Sequence, residues 1–195
     1  MDRRRRALAS LVVVGIAALF VGTATFAVFR STTANATNDV TAGTVQISDN
    51  DAGGAMLTLS SAGPGSSTLG CILVTYGGSL DADVRLYGSS SGGIAPHLTL
   101  TITRGIDATP TFPGCGSFQP DATNYIGQGA GVIYQGPLSS YPSTYAGGIV
   151  DAPGAAETWT TTESHVYRFS VTLGNDPGAQ GTSGSATFEW EARNT

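Results

Sequence analysis

The chain has 195 residues and a formal net charge of −5, and 41% of its residues are hydrophobic, 8% aromatic and 12% charged. This charge content is too low for a disordered tail, and the 27 glycines do not recur at every third position, which excludes collagen. The composition predicts one compact, turn-rich domain. The chain has no lysine, and four of its nine arginines precede an apolar run at the start.

The first segment has the composition of an export signal. After the four arginines, residues 7–28 are almost wholly apolar or small. Thr25 and Ala27 supply the small side chains that a signal peptidase requires, which places cleavage between Ala27 and Val28. We predict an apolar signal helix over residues 1–27 and a secreted product. A retained membrane anchor is the alternative, because about 20 apolar residues can span a bilayer.

Removal of the signal would leave a strongly acidic protein. Five arginines would remain against thirteen acidic residues, a net charge of about −8. Such a surface repels nucleic acid and anionic lipid. We therefore expect no nucleic-acid partner, and membrane contact only through the uncleaved signal.

The next segment, residues 28–42, is rich in Thr, Ala and Asn, and its only large hydrophobic residues are Val28, Phe29 and Val40. Two interpretations of it stay open. It is a flexible leader, or it is an extended strand that pairs with a sheet edge on another molecule. Residues 43–195 follow as the folded domain.

Beyond the leader, hydrophobic and polar residues alternate, which is typical of half-buried strands. Leu98, Leu100 and Ile102 alternate with threonines, and the same period occurs over 165–173 and 186–193. Shorter strands are predicted at 43–47, 55–59, 69–76, 83–87 and 131–134, each bounded by Gly, Pro, Ser or Asp. About eight strands predict an all-β fold, an antiparallel two-sheet β-sandwich of jelly-roll type.

Residues 109–158 have a weaker pattern, and we expect them to pack as a long insertion with one short helical turn. Cys71 and Cys115 are the only cysteines. In an exported chain an even count favours a disulfide, which would tie this insertion to the strand that carries Cys71. Closing the loop would stabilise the fold by about 4 kcal/mol. Two separately buried thiols are the alternative, and two thiols cannot complete a four-ligand zinc site.

Signals for catalysis are few. His97 and His165 are the two histidines, and neither belongs to an HExxH motif. Glu163 and His165 face the same side of a strand, but one such pair supplies at most two metal ligands. Residues 88–92 match the GxSxG string of a nucleophile elbow, but another strand rather than a helix follows, so we expect a serine-rich loop. We predict no catalytic residue and no cofactor.

Residues 49–54 are the one candidate cation loop. Asp49 and Asp51 alternate as in a calcium loop, but the twelfth position is Ser60 rather than Glu. Because Asx and Gly residues also suit a connection between strands, a plain turn is expected and incidental calcium binding is the alternative. Two further carboxylate pairs share strand faces: Asp81 with Asp83, and Glu189 with Glu191. Solvated faces of this kind are common, and we assign these pairs no catalytic role.

Three stretches follow one another along the chain. They are VFRSTTAN at 28–35, directly after the arginine-rich signal, VTAGTVQISD at 40–49, and FEWEA at 188–192. This order resembles the TasA/camelysin family of exported bacterial proteins. In that family an aromatic residue follows the cleavage site, an F-x-A-G-T motif leads into the first strand, and a W-x-A element closes the domain. Val40 stands here in place of the usual Phe, and the cysteine pair is not part of the family pattern.

The resemblance implies a jelly-roll subunit that polymerises noncovalently into extracellular fibres of a biofilm matrix, after a signal peptidase removes residues 1–27. It implies assembly by donor-strand complementation, in which the freed N-terminal segment of one subunit completes a sheet of the next. The donor residues are then Val28, Phe29, Arg30, Ser31 and Thr32, continuing to about Val40. Further copies of the chain, the peptidase and other matrix proteins are the implied partners, at the cell surface or in the matrix.

Two other functions stay open. Camelysin is named as a metalloendopeptidase, and a secreted peptidase would use His97, His165 and nearby acids. A monomeric adhesin or glycan binder would instead stack sugars on aromatic side chains: Tyr125, Tyr134, Tyr141, Tyr145 and Trp159. Core packing explains Trp190 equally well, so the loop tyrosines are the rings to test.

Overall fold

The computed structural model describes residues 43–60, 62–154 and 158–195. The predicted signal helix, its cleavage site between Ala27 and Val28, and the predicted donor segment from Val28 to Val40 lie outside the described residues. Within these ranges, no helix has both the length and the apolar composition needed to cross a membrane.

The described residues form nine strands, which we number in chain order. They are β1 (Ile47–Asp49), β2 (Ser67–Tyr76), β3 (Ala82–Ser91), β4 (Leu98–Asp107), β5 (Phe118–Pro120), β6 (Val132–Pro137), β7 (Ile149–Val150), β8 (Ser164–Leu173) and β9 (Ser185–Asn194). The helices are single 3-10 turns at Ala95–His97, Leu138–Ser140, Tyr145–Gly147 and Pro177–Ala179.

The strands form two antiparallel sheets. The larger has the order β1-β2-β8-β4, with β4 also pairing with both β5 and β6. The smaller has the order β7-β3-β9. The chain passes between the sheets five times, after β2, β3, β6, β7 and β8, and the buried side chains of both sheets form one core. The predicted antiparallel two-sheet β-sandwich is confirmed.

The core forms where the alternating side chains of both sheets meet. On β8, Tyr167 and Phe169 are fully buried, and their polar neighbours along the strand face outward. Leu100 and Ile102 of β4 lie beside them, because Ile102 pairs with Phe169. Val84 and Leu86 of β3 close the core from the smaller sheet, and burial of such side chains contributes about 1.5–3 kcal/mol each.

Four local predictions are wrong. Residues 55–59 form no strand, and the predicted strand at 43–47 begins only at Ile47. The serine-rich stretch at 88–92 is not a loop, because β3 continues through Ser91 and its serines bond across to β9: Ser89 Oγ lies 2.8 Å from Thr187 Oγ1. Among its described residues, the region 109–158 contains three short strands, one of them at the predicted 131–134, and two 3-10 turns rather than one.

Candidate functional site

The smaller sheet ends in an unpartnered strand, β9. Strand β3 lies on one side of it, and no described residue pairs with its other side. At ten residues it is as long as the longest strands of the larger sheet. A long open edge is unusual in a native fold, because unpaired backbone groups invite pairing with another chain.

The hydrogen bonds of β3 show which backbone groups of β9 are open. The carbonyl of Val84 accepts from Asp151 N–H at 3.3 Å, and Gly88 N–H donates to Pro142 at 2.9 Å, so both residues point away from β9. Tyr87, between them, therefore points towards β9, where it pairs with Glu189. By alternation, the odd-numbered residues of β9 bond to β3. The backbone N–H and C=O groups of the five even-numbered residues face the open edge: Ala186, Phe188, Trp190, Ala192 and Asn194.

A groove of about 610 Å³ runs beside this edge, between the two sheets. Its floor is apolar and includes Ile72, Val171 and the half-buried ring of Phe188. The Phe188 and Phe169 ring centroids are 4.5 Å apart, and Trp190 lies 5.6 Å from Tyr167. The inward face of β9 thus continues the aromatic core into the groove.

The opposite wall of the groove is the irregular segment 54–60. It runs along the edge of β2, and a Cβ at Gly70 would come within 2.6 Å of the carbonyl oxygen of Met56, so only glycine allows this approach. Segment 54–60 forms no strand ladder with β2, because backbone N–H groups at that edge of β2 already have other acceptors. Cys71 N–H donates to Pro113 O at 3.0 Å, and Leu73 N–H donates to Asn50 Oδ1 at 2.9 Å.

The predicted disulfide is present and supports this wall. Cys71 and Cys115 are bonded with a Cα–Cα distance of 5.3 Å. The bond ties the connection between β4 and β5 across the larger sheet to the edge of β2. Phe112 of that connection packs against Gly54, at 3.1 Å from where a Cβ would lie.

One end of the core holds a buried ion network around Arg104. Its Nε lies 3.1 Å from the Asp151 carboxylate, and its Nη1 lies 2.5 Å from Asp121 Oδ2. Asp151 also accepts from Tyr167 Oη at 2.7 Å and Trp159 Nε1 at 2.8 Å. Burial opposes the charge of Arg104, but the two carboxylates raise its pKa on balance, so it stays protonated.

The structure separates the two histidines and gives each a different partner. His97 directly precedes β4, and His165 is the second residue of β8. Because β4 and β8 are antiparallel, the two histidines lie at opposite ends of the larger sheet. His97 Nδ1 lies 2.8 Å from Asp176. His165 Nε2 lies 2.8 Å from Arg104 Nη2 and 3.0 Å from Glu163 Oε1, so a guanidinium stands where a metal would have to bind.

The described residues contain no cluster of three or more His, Cys, Asp or Glu side chains that could hold a metal ion. The Asp49 turn uses its oxygens locally. Asp49 Oδ1 accepts from Asp51 N–H at 3.1 Å, and Asp51 Oδ1 accepts from Gly53 N–H at 2.6 Å. Burial raises the pKa of Asp49, and the neighbouring Asp51 carboxylate adds to this. These contacts are those of a plain turn between strands.

The other acidic pairs lie on the outer face of the smaller sheet. Asp83 bonds to Arg85 Nε at 3.0 Å. Glu191 accepts from Tyr87 Oη at 2.7 Å, and this hydrogen bond raises the pKa of Tyr87 to about 12. The first contact lies within β3, and the second joins β3 to β9.

The candidate sugar-stacking rings do not form a platform. Tyr141 is buried and meets Tyr134 edge to face at 5.4 Å. Tyr145 is covered by Arg193, whose guanidinium carbon lies 3.8 Å from the ring centroid. Tyr125 donates to Asp121 at 2.8 Å, and Trp159 is fully buried. Tyr134 and Tyr141 meet at 88°, so these two neighbouring rings do not form a flat surface.

The Glu163–His165 pair predicts an acid-sensitive contribution to stability. Burial acts to raise the pKa of Glu163, but hydrogen bonds from His165 and from Thr160 N–H lower it below its ordinary value of 4.5. The ionised carboxylate therefore stabilises the fold above that value, and this contribution is lost as the pH falls through the lowered pKa.

Glu163→Gln should accordingly lose under about 1 kcal/mol at neutral pH, because the pair is partly screened, and the loss should shrink to nothing as the pH falls through the lowered pKa of Glu163. Urea unfolding at several pH values measures the difference. Glu189→Gln, on the exposed face of β9, is the control. Parallel curves for Glu163→Gln and the unaltered chain would contradict the assignment.

The described residues thus form an antiparallel β-sandwich with a disulfide-supported groove beside the edge strand β9. No family model matches the chain, and neither does any curated protein.

Proposed function

We propose that the exported chain is a structural subunit that polymerises noncovalently into extracellular fibres of a biofilm matrix, as its resemblance to the TasA/camelysin family implies. Residues 28–40 of one copy lie beside β9 of the next and extend the smaller sheet by one strand. The open edge of β9 is the single observation that carries this proposal.

An added strand supplies what the free edge lacks. Each ladder hydrogen bond contributes about 0.5–1.5 kcal/mol net. The side chains of the added strand also enter the groove and remove the half-buried ring of Phe188 from water, at about 25 cal/mol per Å² of apolar surface. Both gains offset the cost of ordering a free segment.

The direction of the chain favours pairing of β9 with the N-terminal segment of a second copy rather than with that of the same molecule. Thr44 O accepts from Ser79 N–H at 2.8 Å, and Thr195 N–H donates to Asp81, so the described chain begins near the end of β9. A segment leading into Gly43 could therefore follow its own β9 only in parallel. A segment from another copy can pair antiparallel, which is the slightly more stable arrangement and the one used throughout this fold.

Deleting residues 28–38 from the secreted chain tests the proposal. The sandwich should remain folded by circular dichroism and thermal unfolding, because its described strands and core come from residues 43–195. Electron microscopy should show filaments from the unaltered processed chain and none from the deletion. Filaments of normal yield from the deletion would contradict the donor role.

A further inference from the structure

The wall of the groove, segment 54–60, is held only weakly by its own backbone. Among the described residues, its one backbone hydrogen bond runs from Gly54 N–H to Asp51 O at 2.9 Å. Three of its side chains are half-buried against the core: Met56, Leu57 and Leu59. A segment with so few backbone hydrogen bonds has low local stability, so its position depends on the residues that support it.

The support comes from the connection between β4 and β5. The Phe112 ring of this connection lies against Gly54, and two links to one residue of β2 hold the connection in place. Cys71 N–H donates to Pro113 O at 3.0 Å, and Cys71 Sγ is bonded to Cys115 Sγ. Of these two links, only the hydrogen bond would remain if the disulfide were reduced.

The disulfide lies outside the core that joins the two sheets. Neither cysteine belongs to the cluster of buried hydrophobic side chains that the sheets share. Cys71 pairs with Arg168 of β8, whose side chain lies on the outer face of the larger sheet, so the Cys71 side chain also points away from the core. Reduction should therefore release the wall and leave both sheets and their shared core in place.

A released wall makes the groove a poorer site for an added strand. The three half-buried side chains of the wall supply apolar surface opposite β9. Once the wall moves, it has to be ordered again before an incoming strand can pack on it, and this entropic cost weakens binding. We propose, resting on the proposed function, that the Cys71–Cys115 disulfide is a redox switch: the oxidised chain accepts an added strand at β9, and the reduced chain folds but accepts it poorly.

Thiol–disulfide exchange operates the switch. Cys71 is 3% exposed and Cys115 is only half-buried, so an external thiolate attacks Cys115 Sγ, and Cys71 leaves as a thiolate that takes up a proton. A second external thiolate attacks the external sulfur of the mixed disulfide, which releases Cys115 as a thiol and yields one external disulfide. The protein gains two electrons and two protons, and a small disulfide such as oxidised glutathione reverses both steps.

The critical concentration for assembly of the full processed chain, measured by sedimentation, tests the switch. Dithiothreitol should raise it about tenfold or more, and oxidised glutathione should restore it. The double variant Cys71→Ala/Cys115→Ala is the control: it should assemble as poorly as the reduced chain and should not respond to dithiothreitol. Circular dichroism should show the sandwich in every case. A reduced chain that assembles at the concentration of the oxidised chain, or that loses its sandwich, would overturn the switch.

Two glycine substitutions test the wall while the disulfide stays intact. A Cβ at Gly70 would come within 2.6 Å of Met56 O, so Gly70→Ala displaces the wall. It should raise the critical concentration about fivefold or more. Gly63→Ala is the matched control, because a Cβ there would meet nothing within 4 Å, and it should stay within about twofold. Equal critical concentrations for the two variants would overturn the part of the wall in assembly, and the switch with it.

The outcomes separate the switch from the function on which it rests. Filaments formed equally well by the oxidised and the reduced chain would overturn the switch and leave the donor-strand assembly intact. Absence of filaments from the oxidised processed chain would overturn both.

Discussion

Arg104→Leu should destabilise the fold by about 3–5 kcal/mol, since it leaves the carboxylate of Asp151 buried without its cation. The side chains of Arg104 and Asp151 are only 6% and 2% exposed, so water cannot replace the lost partner. For a domain of this size the expected fall in Tm is roughly 10 °C. Thermal and urea unfolding measure it.

Two further variants separate the lost charge pair from lost packing. Asp151→Asn in the Arg104→Leu background should recover part of the loss, because it removes the stranded charge. Arg168→Leu is the matched control. Arg168 lies on the outer face of β8 over the ring of Phe118, at 4.8 Å, and its loss should cost no more than about 1 kcal/mol. An Arg104→Leu variant as stable as Arg168→Leu would contradict the role of the network.

Ala186→Pro should abolish assembly or slow it severely while leaving the sandwich folded. The N–H of Ala186 faces the open edge of β9 and not the ladder to β3, so proline removes no existing bond. It does remove a donor that an added strand needs, and its ring obstructs the approach of that strand. Filament yield by sedimentation and electron microscopy, together with the Tm, measures both effects.

Ala186→Val is the control for this substitution, since valine also adds carbon atoms but keeps the N–H and suits a strand. It should assemble nearly as well as the unaltered chain. If Ala186→Pro forms filaments as readily as Ala186→Val, strand addition does not occur at this edge.

The regular strands could be predicted from the sequence because their signal is local. Tyr167 and Phe169 alternate with polar residues, and this pattern alone places β8 half in the core. One further step along β4 from Ile102 would have placed Arg104 on the same inward face. The alternation does not predict the partner of the Arg104 charge, because Asp151 comes from a distant part of the chain.

The groove could not be predicted in this way, because it depends on which strand edges stay unpaired. Residues 55–59 have a strand-like composition, yet Pro113 and Asn50 already occupy the N–H groups of the β2 edge that a ladder would need. Likewise, the sequence of β9 predicts a strand with one wet face. That its second edge is open follows only from the order of the sheet.

Hydrogen–deuterium exchange of the β9 amides tests the central claim most directly. In the unassembled chain, Thr187, Glu189 and Glu191 should exchange slowly, because their N–H groups bond to β3, while Phe188 and Trp190 should exchange fast. In filaments of the processed chain all five should be protected. Fast exchange at Phe188 and Trp190 that persists in the filaments would show that this edge stays open and would contradict the account.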